Sequence, residues 1–180
     1  MTGWTWELLA GPEATITEGP AWDGTGLFYS AIDKSEIRRY DPDANAIQVV
    51  HRETMEANGL YLGPDGALYA CSHGCEVHRY DAAGNRTVLA SHFEGKRLNS
   101  PNDCVLDSAG RLWFTDPRYG NDEGRELDHC SVYRLTPHPD GSTPWQIERL
   151  TFDTTRPNGL LLSPDERTLY VAQSDYLPGS

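Results

Sequence analysis

The chain has 180 residues, with 15 Lys and Arg against 27 Asp and Glu and a formal net charge of −12. That balance repels polyphosphates and anionic lipid, which argues against nucleic acid and acidic membrane surfaces as partners. No apolar run is long enough to span a bilayer, and the opening MTGWTWELLAGPEA lacks the basic flank and apolar core of a secretory leader, so the cytoplasm is the expected compartment.

Taken in order, the chain reads as short strands separated by turns, with no stretch of helical periodicity. Trp4 and Trp6, on alternate positions, suggest an edge strand laid against the body. Thr17 to Trp22 leads through the turn Asp23-Gly24-Thr25-Gly26 into Leu27-Phe28-Tyr29-Ser30, and Glu36 to Asp41 and Ile47 to His51 extend the unit. A second unit opens at Asn58, turns at Gly63-Pro64-Asp65-Gly66, and runs to about Ser91. Its four strands are marked by Leu60, Leu68, Val77 and Val88. A third opens at Asn99-Ser100-Pro101-Asn102-Asp103, turns at Ser108-Ala109-Gly110, and carries a long polar insertion from Asp116 to Asp128. A fourth opens at Asn158, turns at Ser163-Pro164-Asp165-Glu166, and reaches Asp175; Pro178-Gly179-Ser180 reads as a frayed tail.

Each unit opens on one oxygen-bearing side chain: Glu18, Asn58, Asn102 and Asn158. These recur at separations of 40, 44 and 56 residues (18 to 58, 58 to 102 and 102 to 158). A hairpin-bearing repeat of this length is the signature of β-propeller blades, whose equivalent positions converge on a central channel. The expected fold is therefore all-β, a partial propeller domain over residues 1–180 with an incomplete set of about three and a half to four blades. One carboxylate and several amide oxygens suit a hard cation such as Ca²⁺ or Mg²⁺. Cys71, Cys75, Cys104 and Cys130 lack a second ligand pair at zinc spacing and read as free thiols of a reducing compartment.

The ordered set Glu18-Gly19-Pro20-x-Trp22, Asn58-Gly59-Leu60, Ser100-Pro101-Asn102-Asp103, Phe114-Thr115-Asp116-Pro117-x-Tyr119-Gly120 and Pro157-Asn158-Gly159-Leu160 resembles the gluconolactonase family, whose relatives include regucalcin and the squid-type diisopropyl fluorophosphatases. The resemblance implies a six-bladed propeller with Ca²⁺ or Zn²⁺ in its channel. It implies that Glu18, Asn102 and Asn158 are metal ligands and that Asn102 also touches substrate, a sugar lactone hydrolysed to the aldonic acid. It further implies that the acid/base Asp of a later blade lies beyond Ser180, so that the chain corresponds to the N-terminal part of such an enzyme.

The remaining residues carry two readings each. Asp103 is a weak catalytic candidate, orienting a water or Asn102, or it only caps its loop. Asp116, Arg118 and Tyr119, in the loop after the third unit's second strand, are candidate contacts to substrate hydroxyls or solvated decoration. Asn58 shares the repeat position but reads as a turn or supporting residue, and His73 as a channel-lining or a structural imidazole. Two further functions stay open: a non-catalytic half-propeller that self-associates through its open edges, and a phosphotriester hydrolase on the same scaffold.

Overall fold

The computed structural model describes residues 3–9, 13–119 and 123–175. The first sheet contains β1 (Thr17–Trp22), β2 (Leu27–Ala31), β3 (Glu36–Asp41) and β4 (Ala46–Arg52). The second contains β5 (Ala57–Leu62), β6 (Leu68–Ser72), β7 (Glu76–Tyr80) and β8 (Arg86–Ala90). A small hairpin, β9 (His92–Phe93) and β10 (Lys96–Arg97), separates these from the third sheet: β11 (Cys104–Leu106), β12 (Leu112–Asp116), β13 (Ser131–Thr136) and β14 (Gln146–Arg149). β15 (Pro157–Leu162) pairs with β16 (Leu169–Gln173). Every pairing is antiparallel between consecutive strands. The one helical element among the described residues is a single 3₁₀ turn, Ile32–Lys34.

The sheets pack face to face in series. Between the first and second lie Ala21, Ile37, Ala57, Leu60, Leu68, Ala70 and Tyr80. Between the second and third lies the main core, including Tyr69, Cys71, Val77, Leu98, Phe114, Leu127 and Tyr133. Val105, Val132 and Leu160 join the third sheet to β15. A strand covered on both faces cannot alternate polar and apolar residues, and β6 is buried at all five positions of Leu-Tyr-Ala-Cys-Ser. Phe114 and Tyr133 stack with ring centroids 5.3 Å apart. Burying one such ring contributes on the order of 1.5–3 kcal/mol.

The turns explain why the repeat is visible. Asp23, Asp65, Asp107 and Asp165 each accept the main-chain N–H two residues on, at 2.8, 3.1, 3.0 and 3.2 Å. This local bond closes the hairpin between the first and second strand of each unit.

Two expectations require correction. Residues 3–9 form no strand, and Trp4 and Trp6 stand in solvent at 90% and 93% exposure. Alternation supplies an apolar face, but a strand also needs a ladder partner, and this segment has none among the described residues. The insertion after β12 is also more than decoration. Leu127 is buried in the main core, and Glu126 accepts the N–H of Arg97 at 2.6 Å, which ties the loop to β10. Gly120 of the fourth motif and the tail Pro178-Gly179-Ser180 lie outside the described residues.

Candidate metal centre and substrate cavity

The first strands of the four units meet at one end of the sheets. There they enclose a cavity of about 310 Å³ whose walls include Glu18, Asn58, Asn102, Asp103 and Asn158. Residues more than a hundred positions apart are thus brought together, and all three expected metal ligands face a common space. Register explains how. Thr17 pairs with Ala31, Ala57 with Ser72 and Pro157 with Gln173, and in each strand the register then shifts before Ala21, Leu60 and Leu160. Asn58 and Asn158 sit in that irregularity, and Glu18, paired with Ser30, is the last residue before it, where a strand re-aims its side chains.

The sheets are held close at this point. The Ser30 hydroxyl donates to the carbonyls of Glu18 (3.1 Å) and Asn58 (2.8 Å). The Thr115 hydroxyl likewise donates to the carbonyl of Asn158 at 2.7 Å. Between the second and third sheets the Gly59 N–H donates to the Asn102 carbonyl at 2.7 Å. A Cβ on Gly59 would lie 2.5 Å from that carbonyl oxygen, so the approach requires the missing side chain.

Gly19, Gly59 and Gly159 follow the cavity residues of their strands, but in the third unit the corresponding place is Asp103. Its carboxylate lies against Gly59 and Gly159. Oδ1 accepts its neighbour's N–H, that of Cys104, at 2.9 Å, and Oδ2 lies 3.4 Å from the Leu160 N–H. Burial pushes its pKa above the ordinary carboxyl value, the two N–H groups oppose the shift, and the Glu18 charge adds to it.

The side-chain oxygens of the cavity are chemically available. Glu18 has no ion pair or side-chain hydrogen bond among the described residues, and neither has the Asn102 amide, although Asn102 is buried. Asn158 Nδ2 donates to the Tyr119 hydroxyl at 2.5 Å, and its side-chain Oδ1 has no protein partner among the described residues. One carboxylate and neutral amide oxygens are the donor chemistry of a hard divalent cation. Among the described residues there is no cluster of three or more His, Cys, Asp or Glu side chains able to hold a metal, so any ion here depends on the amides.

The other sequence candidates separate. Tyr119 reaches the site through Asn158 and is braced by Ser174 Oγ at 2.9 Å and by the Arg156 guanidinium over its ring. Arg118 does not line the cavity; it donates to the Glu123 carbonyl in its own loop. Asp116 does not face the cavity either. It is fully buried, and its carboxylate accepts the N–H groups of Asn99 (2.9 Å) and Ser100 (2.7 Å). Burial raises its pKa to about 7, against those two donors and the more distant Arg118 and Arg125. Strand alternation placed it at the mouth, but its acceptor oxygens are taken by the loop that delivers Asn102, so its role is positional. His73, by contrast, touches a cavity residue directly: its Nε2 lies 2.8 Å from Asn58 Nδ2.

Comparison with known proteins identifies the family and the fold. The family described as SMP-30/Gluconolactonase/LRE-like region matches residues 16–177. A gluconolactonase of Zymomonas mobilis is 34% identical across 88% of this chain and 49% of its own length. Among solved structures, a gluconolactonase of Xanthomonas campestris superposes with a TM-score of 0.77 and 36% identity, over 90% of this chain and 56% of that one. A regucalcin of Agrobacterium tumefaciens, described as calcium-binding, superposes with a TM-score of 0.68 at 22% identity over 92% and 52%, a likeness of fold. The chain thus spans about half the length of the curated gluconolactonase it matches. From the match over nearly its whole length, and the four convergent strands that the match covers, the chain belongs to the SMP-30/gluconolactonase/LRE-like family.

Proposed function

We propose that this chain carries the cation-holding part of a sugar-lactone hydrolase. The observation that supports the reading most is the convergence of Glu18, Asn102 and Asn158, with unengaged oxygens, on one cavity. Glu18 and the two amides would hold a divalent cation, Ca²⁺ in preference to Mg²⁺ or Zn²⁺, because the donors are all oxygen and the walls leave room for water ligands. A bound ion of this kind supplies Lewis-acid polarisation of a carbonyl. Asn102, whose side-chain amide has no protein partner among the described residues, orients the lactone. Asp103 is the second carboxylate on the cavity, and its raised pKa suits it to take a proton from an attacking water. Tyr119 fixes Asn158 and adds a hydroxyl at the rim, whereas Asp116 holds the Asn102 loop in place.

Calcium titration followed by thermal melting and by hydrolysis of glucono-δ-lactone tests this reading. Calcium should raise the melting temperature by mass action, and a chelator should remove both the rise and the turnover. Glu18→Gln should weaken both responses. A melting curve indifferent to calcium and chelator would overturn the assignment, and a fluorophosphate assayed beside the lactone separates the phosphotriesterase alternative.

A second reading concerns association. Ile16, just before β1, and Trp22 at its end, with Leu161 and Tyr170 on β15 and β16, are more than half exposed, so both terminal sheets carry exposed apolar side chains. We infer self-association through these surfaces, read as a concentration-dependent mass in sedimentation. The buried free cysteines Cys71, Cys75, Cys104 and Cys130 fit action in the cytoplasm.

A further inference from the structure

We propose that Asn58, held by His73, is an additional oxygen ligand of the divalent cation, beyond the three residues that the family resemblance assigns. This rests on the cation reading above and extends it to the second sheet.

The geometry makes Asn58 a counterpart of Asn158. Both occupy the same register irregularity, after Ala57↔Ser72 in β5 and Pro157↔Gln173 in β15. Both line the cavity. Both have their main-chain carbonyl clasped by a hydroxyl of the preceding sheet, Ser30 at 2.8 Å and Thr115 at 2.7 Å. Both also have the amide nitrogen engaged on the side away from the oxygen, Asn58 with His73 Nε2 at 2.8 Å and Asn158 with the Tyr119 hydroxyl at 2.5 Å.

The consequence is chemical. An amide nitrogen only donates, so Nε2 of His73 accepts and the ring proton sits on Nδ1. The His73 contact holds the Asn58 amide in orientation, and its side-chain Oδ1 has no protein donor among the described residues, although the residue is only 5% exposed. That oxygen is not sealed inside the protein, because Asn58 lines the cavity. It is an open acceptor of the kind a hard cation takes. His73 is therefore a positioning residue: it touches Asn58, not the cavity ligand, and it fixes which amide atom faces inward. A residue that only closes a turn has no need of this orientation.

Calcium affinity of the full chain, by isothermal titration and by the calcium-induced rise in melting temperature, tests the proposal. Asn58→Ala should weaken calcium on the order of tenfold or more, and His73→Leu should weaken it by about tenfold while leaving every cavity residue in place. His73→Gln, whose side-chain oxygen can still accept the amide, should restore most of the affinity. Asn58→Asp keeps the size and adds a charged oxygen donor, so it should tighten calcium; a turn-closing role predicts no gain. If Glu18→Gln weakens calcium while Asn58→Ala, Asn58→Asp and His73→Leu all match wild type, Asn58 is not a ligand and the three-residue site stands alone. If the wild-type chain takes up no calcium, the cation reading and this extension fall together.

Discussion

The closest approach of the second and third sheets gives the sharpest structural test. At Gly59 an added Cβ would stand 2.5 Å from the Asn102 carbonyl oxygen, 2.5 Å from Asp103 Oδ1 and 2.6 Å from Asp103 Cα. Two of these atoms are backbone and cannot rotate aside, so Gly59→Ala must push the sheets apart by about an ångström. Overpacking of this kind costs about 1–3 kcal/mol, and it stretches the 2.7 Å bond from the Gly59 N–H to Asn102, worth about 1 kcal/mol more. The sum is on the order of 2–4 kcal/mol, or a fall in melting temperature of roughly 5–15 °C for a chain of this size. Gly159 is the built-in control. It holds the same place in β15, yet its nearest atom, Asp103 Oδ2, is at 3.7 Å, an ordinary contact. Gly159→Ala should be within about 1 kcal/mol of wild type, helped by the lower entropy of the unfolded chain. Urea denaturation of the two variants side by side decides the matter. Equal destabilisation at Gly59 and Gly159 would refute the claim that sheet spacing is set at Gly59.

Other outcomes follow from the buried carboxylates. An unfolded aspartate titrates near about 3.9, while burial lifts Asp116 to about 7 in the folded chain. Between those values the folded protein keeps a proton that the unfolded chain has released, so this group's contribution falls as pH rises from about 4 to about 7 and is level above. Asp116→Asn should remove roughly 2–3 kcal/mol of the difference in stability between about pH 5 and pH 8, measured by urea denaturation at both; an unchanged slope would show that Asp116 does not titrate there. For Asp107, burial pushes the pKa up but the donors win: Trp113 Nε1 at 2.9 Å and the Arg111 N–H and guanidinium at 2.9 and 2.7 Å. Asp107→Ala should cost about 2–4 kcal/mol by stranding these donors, and a urea midpoint near wild type would contradict that.

The strands, the hairpin turns and the convergence of Glu18, Asn102 and Asn158 could all be read from the sequence, because each repeats a local pattern: an opening acceptor, an apolar run, an aspartate turn. What could not be read was which way single side chains face at the ends of strands. Asp116 ends β12, and only the fold of residues 99–100 back onto it decides that its oxygens serve the main chain. The β9–β10 hairpin was missed because its strands are two residues each, although Glu94 and Gly95, both at positive φ, make a two-residue turn that the sequence Phe-Glu-Gly-Lys hints at. The place of Asp103 on the cavity is legible for a simpler reason. Aligning Gly19, Gly59 and Gly159 shows it as the one charged residue in a glycine position, a signal present in the sequence from the start.

The hydroxyl clasps carry one more implication. Ser30 and Thr115 do not grip arbitrary points on the adjoining sheets; they grip the carbonyls of Asn58 and Asn158, the residues whose amides look into the cavity. Any tilt between neighbours is thereby transmitted to the pocket walls without passing through a flexible linker. Replacing either hydroxyl by a methyl would detune the pocket from a distance, making Ser30 and Thr115 control points for its width that never meet whatever it holds.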